Sequence, residues 1–332
     1  MGGSVLASVA CDSGSTSSSP STAGASNVAG ASNVAGASPS AGAANHAGSS
    51  NASAGATAQG GAGNAGASTG SAGSGNAGAS TGGAGSSGSA GTANGGSGAC
   101  AGALICDDFE SYSDKPAGPW TVSINNGTVA MDTTKHTSGS KSVKFSTTGA
   151  NAYQRAYIGL EGAPFPIAGN AFYGRMMMCV TKAANDGVHW SMIQAEGAVP
   201  AQGITDAEVR YGGQTMQMLM ANYDSTGKKS DCWQHSATKM PEGKWACMQW
   251  YFDGKTNTQK FWLDSVAIDD LTVVGSGQGC INQDTNGNWY FPQDFAKTYV
   301  GWESYQTDDA REAWIDDFAL GTSPIACPTV TP

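Results

Sequence analysis

The sequence predicts an all-β protein: a double-sheet β-jelly roll (β-sandwich) preceded by a long disordered low-complexity linker. Three observations predict this fold class. After residue 104, apolar and polar residues alternate with a period of two. Clusters of Asp, Asn and Gly separate the alternating segments, and no segment has the 3.6-residue period of an amphipathic helix. About ten strands with turn signals between them indicate two antiparallel sheets packed face to face.

The first eleven residues form a short apolar run that ends in small residues and Cys11. This pattern is typical of the end of a lipoprotein signal peptide, in which Cys11 would receive the lipid. Ser8 stands where Leu is usual, and no positive charge precedes the run. We therefore expect residues 1–11 to be a truncated signal, although Cys11 as the mere edge of low-complexity sequence remains an alternative. A lipid anchor predicts a secreted protein held at the outer membrane or cell surface.

Residues 12–99 consist almost only of Ala, Gly, Ser, Thr and Asn, with no Lys, Arg or aromatic residue. Such a segment buries too little apolar surface to offset the entropy of ordering it, so it is predicted to be a disordered tether. Its root-mean-square reach as a flexible coil is roughly 50 Å. Residues 100–332 remain for a single folded domain, which we expect to be monomeric.

The charge of the folded domain restricts its partners. All 16 Lys and Arg residues lie after Cys100, and so does every acidic residue except Asp12, which leaves an acidic domain. A negative surface repels phosphate backbones, so nucleic acid is excluded as a partner. A polyanionic polysaccharide would need a local cluster of basic residues to bind here.

Eight segments of the domain show the alternation of a half-buried strand. They are Lys141–Ser146, Ala171–Val180, Val188–Ala195, Thr215–Tyr223, Lys244–Phe252, Thr258–Leu263, Thr298–Tyr305 and Glu312–Leu320. Alternation also assigns side chains to faces, because successive residues of a strand point to opposite sides. The apolar sets, predicted to be core, are Ala246, Met248, Trp250 and Phe252, and Val188, Trp190 and Met192. The opposite sets are Trp245, Gln249 and Tyr251, and His189 and Ser191. We interpret the opposite sets as one mixed polar and aromatic face, as in a sugar-binding cleft.

The eight cysteines indicate disulfides, since an exported protein meets an oxidising environment and no two cysteines have the spacing of a zinc knuckle. If Cys11 carries a lipid, seven remain, and one of them is left over. The pairing does not follow from sequence. We predict Cys179–Cys247, Cys232–Cys280, and Cys327 with either Cys100 or Cys106, of which Cys106 is preferred.

Three short segments carry a family resemblance: Cys-Asp-Asp-Phe-Glu at 106–110, His-Thr-Ser-Gly-Ser-Lys-Ser at 136–142, and Trp-Ile-Asp-Asp-Phe at 314–318. They resemble the cellulose-induced proteins secreted beside fungal cellulases and their bacterial relatives, which are concanavalin-type jelly rolls related in fold to glucuronan and alginate lyases. The likeness spans residues 104–327. It implies a structural Ca²⁺ ion that joins the first and last strands, held by Glu110, Thr137, Ser140 and Asp317, whose oxygens suit this ion.

The resemblance implies that the domain binds polysaccharide and performs lyase chemistry by β-elimination on a uronate-containing glycan. Related lyases use a Gln or Arg to neutralise the carboxylate and a His or Tyr for proton transfer. The catalytic candidates on these terms are His189, Gln194, Arg210 and Tyr223. The candidates for substrate binding are Arg175, Gln214, Trp245, Gln249, Tyr251, Trp302 and Tyr305.

Two alternatives remain open. In the first alternative to a lyase, the domain is a non-catalytic carbohydrate-binding module for neutral glucans such as cellulose, which stack on Trp245, Tyr251, Trp302 and Tyr305. In the second, it is a structural surface protein. Other enzyme classes are excluded because residues 100–332 lack their motifs: the Glu-x-Asp-x-x-Glu strand of laminarinase-type glycosidases, the serine-hydrolase elbow, the His-Glu-x-x-His zinc helix and the nucleotide-binding loops.

Overall fold

The computed structural model describes Cys11, residues 100–149 and residues 152–328. The predicted signal, apart from Cys11, and the predicted tether over residues 12–99 lie outside the described residues. Within them the chain forms β-strands and three single-turn 3₁₀ helices, and none of these helices has the length and hydropathy needed to cross a membrane. The predicted all-β class is confirmed.

Seventeen strands occur in the described residues. In chain order they are β1 (Ala103–Asp107), β2 (Trp120–Asn125), β3 (Gly127–Asp132), β4 (Ser142–Thr147), β5 (Gln154–Glu161), β6 (Ala171–Val180), β7 (Trp190–Val199), β8 (Ile204–Gly213), β9 (Met218–Thr226), β10 (Ser230–Lys239), β11 (Trp245–Asp253), β12 (Thr258–Leu263), β13 (Val266–Ala267), β14 (Val273–Val274), β15 (Gly279–Ile281), β16 (Lys297–Ser304) and β17 (Glu312–Gly321).

The strands form two sheets. The eight-stranded sheet has the order β15-β10-β9-β8-β7-β16-β5-β2. The nine-stranded sheet has the order β13-β12-β11-β6-β17-β4-β3, with β14 paired to β12 and β1 paired to β17. All of the ladders within these sheets are antiparallel, as expected for a double-sheet jelly roll.

Strand β17, the last in the chain, lies inside the nine-stranded sheet, and two shorter strands share one of its edges. β4 pairs with residues 312–315 and β1 pairs with residues 318–321, so Asp316 and Asp317 fall between the two ladders. The pairing of β17 with β6 also shifts register between Asp316 and Ala319. This irregularity turns the two carboxylates toward the loop that precedes β4.

The core lies between the two sheets and is rich in large rings. Trp190 of β7 stacks on Trp302 of β16, with centroids 4.8 Å apart and planes 10° apart. Trp250 of β11 covers Gly174 of β6, where an added Cβ would lie 2.0 Å from the indole ring. A residue larger than glycine at position 174 would therefore displace the indole, whose burial stabilises the core.

The predicted core faces are correct, but the two strands used to derive them lie in different sheets. β7 belongs to the eight-stranded sheet and β11 to the nine-stranded sheet, and each sends its apolar set inward. His189 and Ser191 therefore lie on one outer surface of the sandwich, while Gln249 and Tyr251 lie on the opposite outer surface. The single mixed face that the sequence suggested is two separate faces.

The disulfides differ from most of the predicted pairs. Cys232–Cys280 is confirmed, because β10 and β15 place the two residues directly opposite each other. Cys179–Cys247 is wrong, since Cys247 lies opposite Met177 in the ladder and bonds to Cys327 instead. Cys106–Cys327 is also wrong, because Cys106 bonds to Cys100 only six positions away.

Cys11 bonds to Cys179 on the outer surface of the nine-stranded sheet, where both are buried with Trp245 and Trp314. A sulfur atom in a disulfide cannot also carry a thioether-linked lipid, so the structure contradicts lipidation at Cys11. All eight cysteines are paired. The expected leftover cysteine is therefore absent.

Candidate functional site

The outer surface of the eight-stranded sheet carries a continuous set of polar side chains, here called the polar face. Each alternates along its strand with a core residue, so the face follows from the strand period. Its central members are Arg155, Tyr157, Ser191, Gln194, Glu196, Glu208, Arg210, Asn222, Tyr299, Glu303 and Tyr305.

Cross-strand register brings four of these residues into one row. Asn222 of β9 lies opposite Arg210 of β8, Arg210 opposite Gln194 of β7, and Gln194 opposite Tyr299 of β16. The row continues to Gly159 of β5, where a Cβ would lie 2.3 Å from the Tyr299 ring. Gly159 therefore allows Tyr299 to lie flat across the sheet.

Glu303 is the centre of the polar face. Its side chain is fully buried, and Arg155 donates to Oε1 through Nε at 2.8 Å and Nη2 at 2.6 Å. The hydroxyl of Tyr305 donates to Oε2 at 2.7 Å and that of Tyr157 at 3.2 Å, and Tyr153 donates to Oε1. A buried carboxylate remains charged only with such compensation, so the network holds these three tyrosines in place.

Arg210 is the second organising residue, with only 4% of its surface exposed. Its guanidinium lies 3.2 Å from Glu208 and 3.1 Å from Asp224, and it donates to the hydroxyl of Tyr305. Tyr305 therefore accepts from a cation and donates to the Glu303 carboxylate. Burial raises the pKa of Tyr305 well above its usual value, Arg210 opposes this rise and Glu303 adds to it, so the phenol is protonated at neutral pH.

His189 lies against this pair, with its ring centroid 5.4 Å from that of Tyr305. Burial and, to a smaller extent, the positive charges of Arg210 and His235 together lower the pKa of His189 to about 4. The imidazole is therefore neutral at physiological pH. It can accept a proton from a bound molecule.

Three buried atoms in the Asn222–Arg210–Gln194 row have no hydrogen-bond partner: Asn222 Oδ1, Arg210 Nε and Gln194 Oε1. A buried polar atom without a partner is costly, because it has lost its contact with water and gained nothing in exchange. Atoms in this condition on three adjacent strands mark the row as the part of the polar face whose hydrogen bonds are incomplete.

One end of the polar face is acidic. Glu196, Asp206 and Glu208 have carboxylate oxygens within 4.8 Å of one another. The pKa of Glu208 is raised to about 7, chiefly by burial and also by the charges of Glu196 and Asp224, while Arg210 opposes the rise. Lys297 Nζ lies 2.5 Å from Glu196 Oε2.

The structure brings His189, Gln194, Arg210 and Tyr305 together, as the sequence predicted for one cleft. Gln214 directly follows β8 at the same edge, since Gly213 lies opposite Trp190, the residue after His189. Ser191 also belongs here, with its Oγ 3.3 Å from the Tyr305 hydroxyl.

Two predicted residues lie in the core instead. Tyr223 is fully buried and stacks on Trp289 at 5.8 Å, because Asn222 and Asp224 occupy the outward positions of β9. Trp302 points inward against Trp190. Tyr223 therefore does not reach the site as an acid or base, and Trp302 cannot stack on a sugar.

Four further predicted residues lie on the outer surface of the nine-stranded sheet. They are Arg175, Trp245, Gln249 and Tyr251. Trp245 is buried beside the Cys11–Cys179 disulfide, and Gln249 donates to the carbonyl of Ile325 at 2.6 Å. Because β6 and β11 belong to the other sheet, these four residues cannot join His189 and Arg210 in one cleft.

The predicted calcium residues gather around the loop before β4. Glu110 accepts from the backbone N–H groups of Ser140 and Lys141 at 2.8 and 2.7 Å, and from the Ser140 hydroxyl at 2.7 Å. The Thr137 hydroxyl donates to Asp317 at 3.1 Å and to Asp316 at 2.9 Å. Burial and, to a smaller extent, the neighbouring charge of Asp317 together raise the pKa of Asp316 to about 7. Carboxylate and hydroxyl oxygens are the ligands that a hard cation such as Ca²⁺ prefers.

Glu303, Arg155, Tyr153 and Tyr157 are not among the residues predicted from the sequence. A signal for Glu303 was present: in β16, odd-numbered positions 299, 301, 303 and 305 share one face and even-numbered positions share the other. Trp302 and Tyr305 therefore could not both face a ligand. Applied to that strand, the same rule selects Glu303 as a neighbour of Tyr305.

Comparison with known proteins agrees with this fold. The model of the Cip1-like core domain, of the polysaccharide-lyase-like group, matches residues 108–323. The solved structure of the cellulose-induced protein Cip1 superposes with a TM-score of 0.50 at 25% identity, over 68% of this chain and 100% of that chain. An endo-β-1,4-glucuronan lyase from the fungus Trichoderma reesei gives a TM-score of 0.48 at 15% identity, over 64% of this chain and 95% of that chain. No curated protein sequence matches the chain.

Proposed function

The chain belongs to the Cip1-like family of polysaccharide-lyase-like domains, and from this premise we propose that it binds a uronate-containing polysaccharide across the polar face and cleaves it by β-elimination. One observation carries the proposal. The Tyr305 hydroxyl lies between the Arg210 guanidinium and the Glu303 carboxylate, with the neutral His189 ring against it. This arrangement supplies an electrophile, a proton donor and a proton acceptor within a few ångströms.

β-Elimination requires removal of the proton on C5 of the uronate, breakage of the bond between C4 and the glycosidic oxygen, and protonation of that oxygen. His189 takes the C5 proton, because its lowered pKa keeps the imidazole unprotonated. Tyr305 donates its proton to the leaving oxygen, because its raised pKa keeps the phenol protonated. Arg210 Nε, a donor without a hydrogen-bond partner, neutralises the substrate carboxylate, where negative charge accumulates when C5 loses its proton.

The full-length protein incubated with polyglucuronate, alginate and xylan should release an unsaturated product that is detected by its ultraviolet absorbance. His189→Ala and Tyr305→Phe should each lower the rate by about 100-fold or more, the usual contribution of a positioned proton-transfer group. The matched control is Tyr223→Phe, which changes a core tyrosine outside the site and should leave the rate unchanged. Product formation that survives Tyr305→Phe would exclude the mechanism.

A second candidate function, binding of a neutral glycan without cleavage, is favoured by a pocket on the opposite surface. Tyr173, Gln249 and Trp262 line it, and Tyr173 packs on Tyr251 with ring centroids 4.5 Å apart. Aromatic rings with a nearby amide suit the apolar faces and hydroxyls of neutral sugars. Retention on insoluble cellulose that Trp262→Ala abolishes and Tyr305→Phe preserves would support this function.

We further propose that the loop before β4 binds a structural Ca²⁺ ion through Glu110, Thr137, Ser140 and Asp317. The donor set supports this, because carboxylate and hydroxyl oxygens from three separate chain segments converge there. An extracellular location is also proposed, and four disulfides support it, since such bonds persist in oxidising compartments.

A further inference from the structure

We propose that Glu196, Asp206 and Glu208 bind a divalent cation on the polar face, and that this cation binds the carboxylate groups of the polysaccharide. The first part concerns a metal site separate from the predicted calcium loop. The second part rests on the proposed function, whose substrate class it specifies as a uronate polymer bound through a metal bridge.

The cluster is built from two adjacent strands. Glu196 of β7 lies directly opposite Glu208 of β8, and Asp206 lies two positions before Glu208 on the same face. Carboxylate oxygens of all three are within 4.8 Å of one another. Glu196 is only 4% exposed. Like charges directly opposite each other destabilise a sheet, so this arrangement needs a compensating positive charge.

The protein's own cations compensate the cluster only in part. Lys297 lies 2.5 Å from Glu196, and its ammonium is the single positive charge paired with that residue. Arg210 lies 3.2 Å from Glu208, but it also pairs with Asp224 at 3.1 Å. Carboxylates therefore remain in excess, which is the condition that a divalent cation relieves.

Gln194 supplies independent evidence for a ligand. Only 1% of the residue is exposed, and its Nε2 donates to Glu196 Oε1 at 2.6 Å. The other end of the same amide, Oε1, is buried without a partner. Because the two ends of an amide have the same shape, rotation by 180° exchanges them. Without a cation, the Gln194 amide directs Nε2 at Glu196. A cation bound to Glu196 would favour the rotated amide, in which Oε1 enters the cluster as a fourth oxygen ligand.

The charge of the polar face gives this cation a role. Its basic residues are each already paired with a carboxylate: Arg155 with Glu303, Arg210 with Glu208 and Asp224, and Lys297 with Glu196. Arg210 Nε, which has no hydrogen-bond partner, can receive one carboxylate, but the further carboxylates of a polyuronate would meet an acidic surface and be repelled. A Ca²⁺ ion with protein oxygens on one side can take substrate carboxylate oxygens on the other.

Isothermal titration of the full-length, EDTA-treated protein with CaCl₂ tests the site without any sugar. We expect Glu208→Gln to weaken one class of Ca²⁺ sites by at least about tenfold, because that class loses a charged ligand. Asp206→Asn should do the same at a half-buried position that tolerates the change, and circular dichroism should show both variants folded. The matched control is Asp317→Asn, which lies at the calcium loop and should leave this class intact.

Lys297→Met should change the Ca²⁺ affinity in the opposite direction. Removing the ammonium that competes for Glu196 should tighten the same class of sites, whereas a merely structural ion pair would yield no tighter binding. Ca²⁺ titrations that are identical for the wild type, Glu208→Gln and Lys297→Met would overturn the proposal.

The bridging role is tested separately with polyglucuronate in CaCl₂ and in EDTA. We expect binding to weaken in EDTA and to lose its Ca²⁺ dependence in Glu208→Gln. Binding that is equal in both buffers would overturn the bridge. If Ca²⁺ binds at the cluster but no unsaturated product forms in either buffer, the proposed function fails and the cation site stands.

Discussion

Neutralising Glu303 isolates the energetic role of the polar face. Glu303→Gln keeps the shape of the side chain but removes a fully buried negative charge that pairs with Arg155. Breaking a buried ion pair by removing one partner costs about 3–5 kcal/mol. Arg155 retains 24% exposure of its side chain, so water stabilises part of its charge and the lower end, about 3 kcal/mol, is expected. For a domain of this size that loss corresponds to a fall in Tm of about 6–12 °C.

The measurement is thermal and urea unfolding of the wild type, Glu303→Gln and a matched control, Glu312→Gln. Glu312 pairs with Lys144 at 2.5 Å, but their side chains are 46% and 29% exposed. A solvent-exposed pair of this kind contributes less than about 1 kcal/mol. Equal losses of stability in the two variants would refute the view that burial of Glu303 sets its importance.

Three further outcomes are expected. His189 takes up a proton near pH 6.5 in the unfolded chain but only near pH 4 in the folded state. The free energy of unfolding should therefore fall by up to roughly 3 kcal/mol as the pH is lowered from 6.5 to 4. Urea unfolding measures this loss, and a loss in the wild type no larger than that in His189→Gln would contradict the prediction. Tyr223→Phe should leave binding of polyglucuronate unchanged, because that ring lies in the core. Peptide mapping without reductant should recover Cys11 joined to Cys179, and a lipid on Cys11 would disprove the pairing.

Local patterns were sufficient to predict eight of the seventeen described strands and the buried faces of β7 and β11. The predicted bounds of Ala171–Val180 and Thr258–Leu263 coincide with β6 and β12. Alternation is fixed by the geometry of a single strand, so it can be read without knowing the neighbours. β8 and β10 were missed because polar residues on their outward positions and glycines interrupt the apolar set, as in the Arg-Tyr-Gly-Gly end of β8.

The membership of each strand in a sheet could not be predicted, because it depends on contacts far apart in sequence. Val188–Ala195 and Lys244–Phe252 show the same alternation, yet β7 and β11 lie in opposite sheets. The sequence-based prediction assigned the outward residues of both strands to one face, and so it wrongly placed Gln249 and Tyr251 beside His189. The same limit applies to disulfides, since Cys247 and Cys327 meet only after residues 321–327 cross the nine-stranded sheet.

Only part of the candidate site could be predicted from the sequence, because its assembly also depends on which strands pair. His189, Gln194 and Arg210 were found because their residue types suit uronate chemistry, and the register of β7 with β8 then placed them side by side. Tyr305 was identified as a ligand-stacking residue, but its place between Arg210 and Glu303 depends on the pairing of β16 with β7 and β5. No local pattern contains that three-strand relationship.

The bond between Cys11 and Cys179 has a consequence for the covalent connectivity of the chain. It closes a ring that includes everything from residue 11 to residue 179, so residues 12–99 are joined to the domain at both ends. A protease that cuts once between residues 12 and 99 would therefore leave a nicked molecule of nearly unchanged mass. Liberation of the N-terminal fragment would require a reductant as well as the cut.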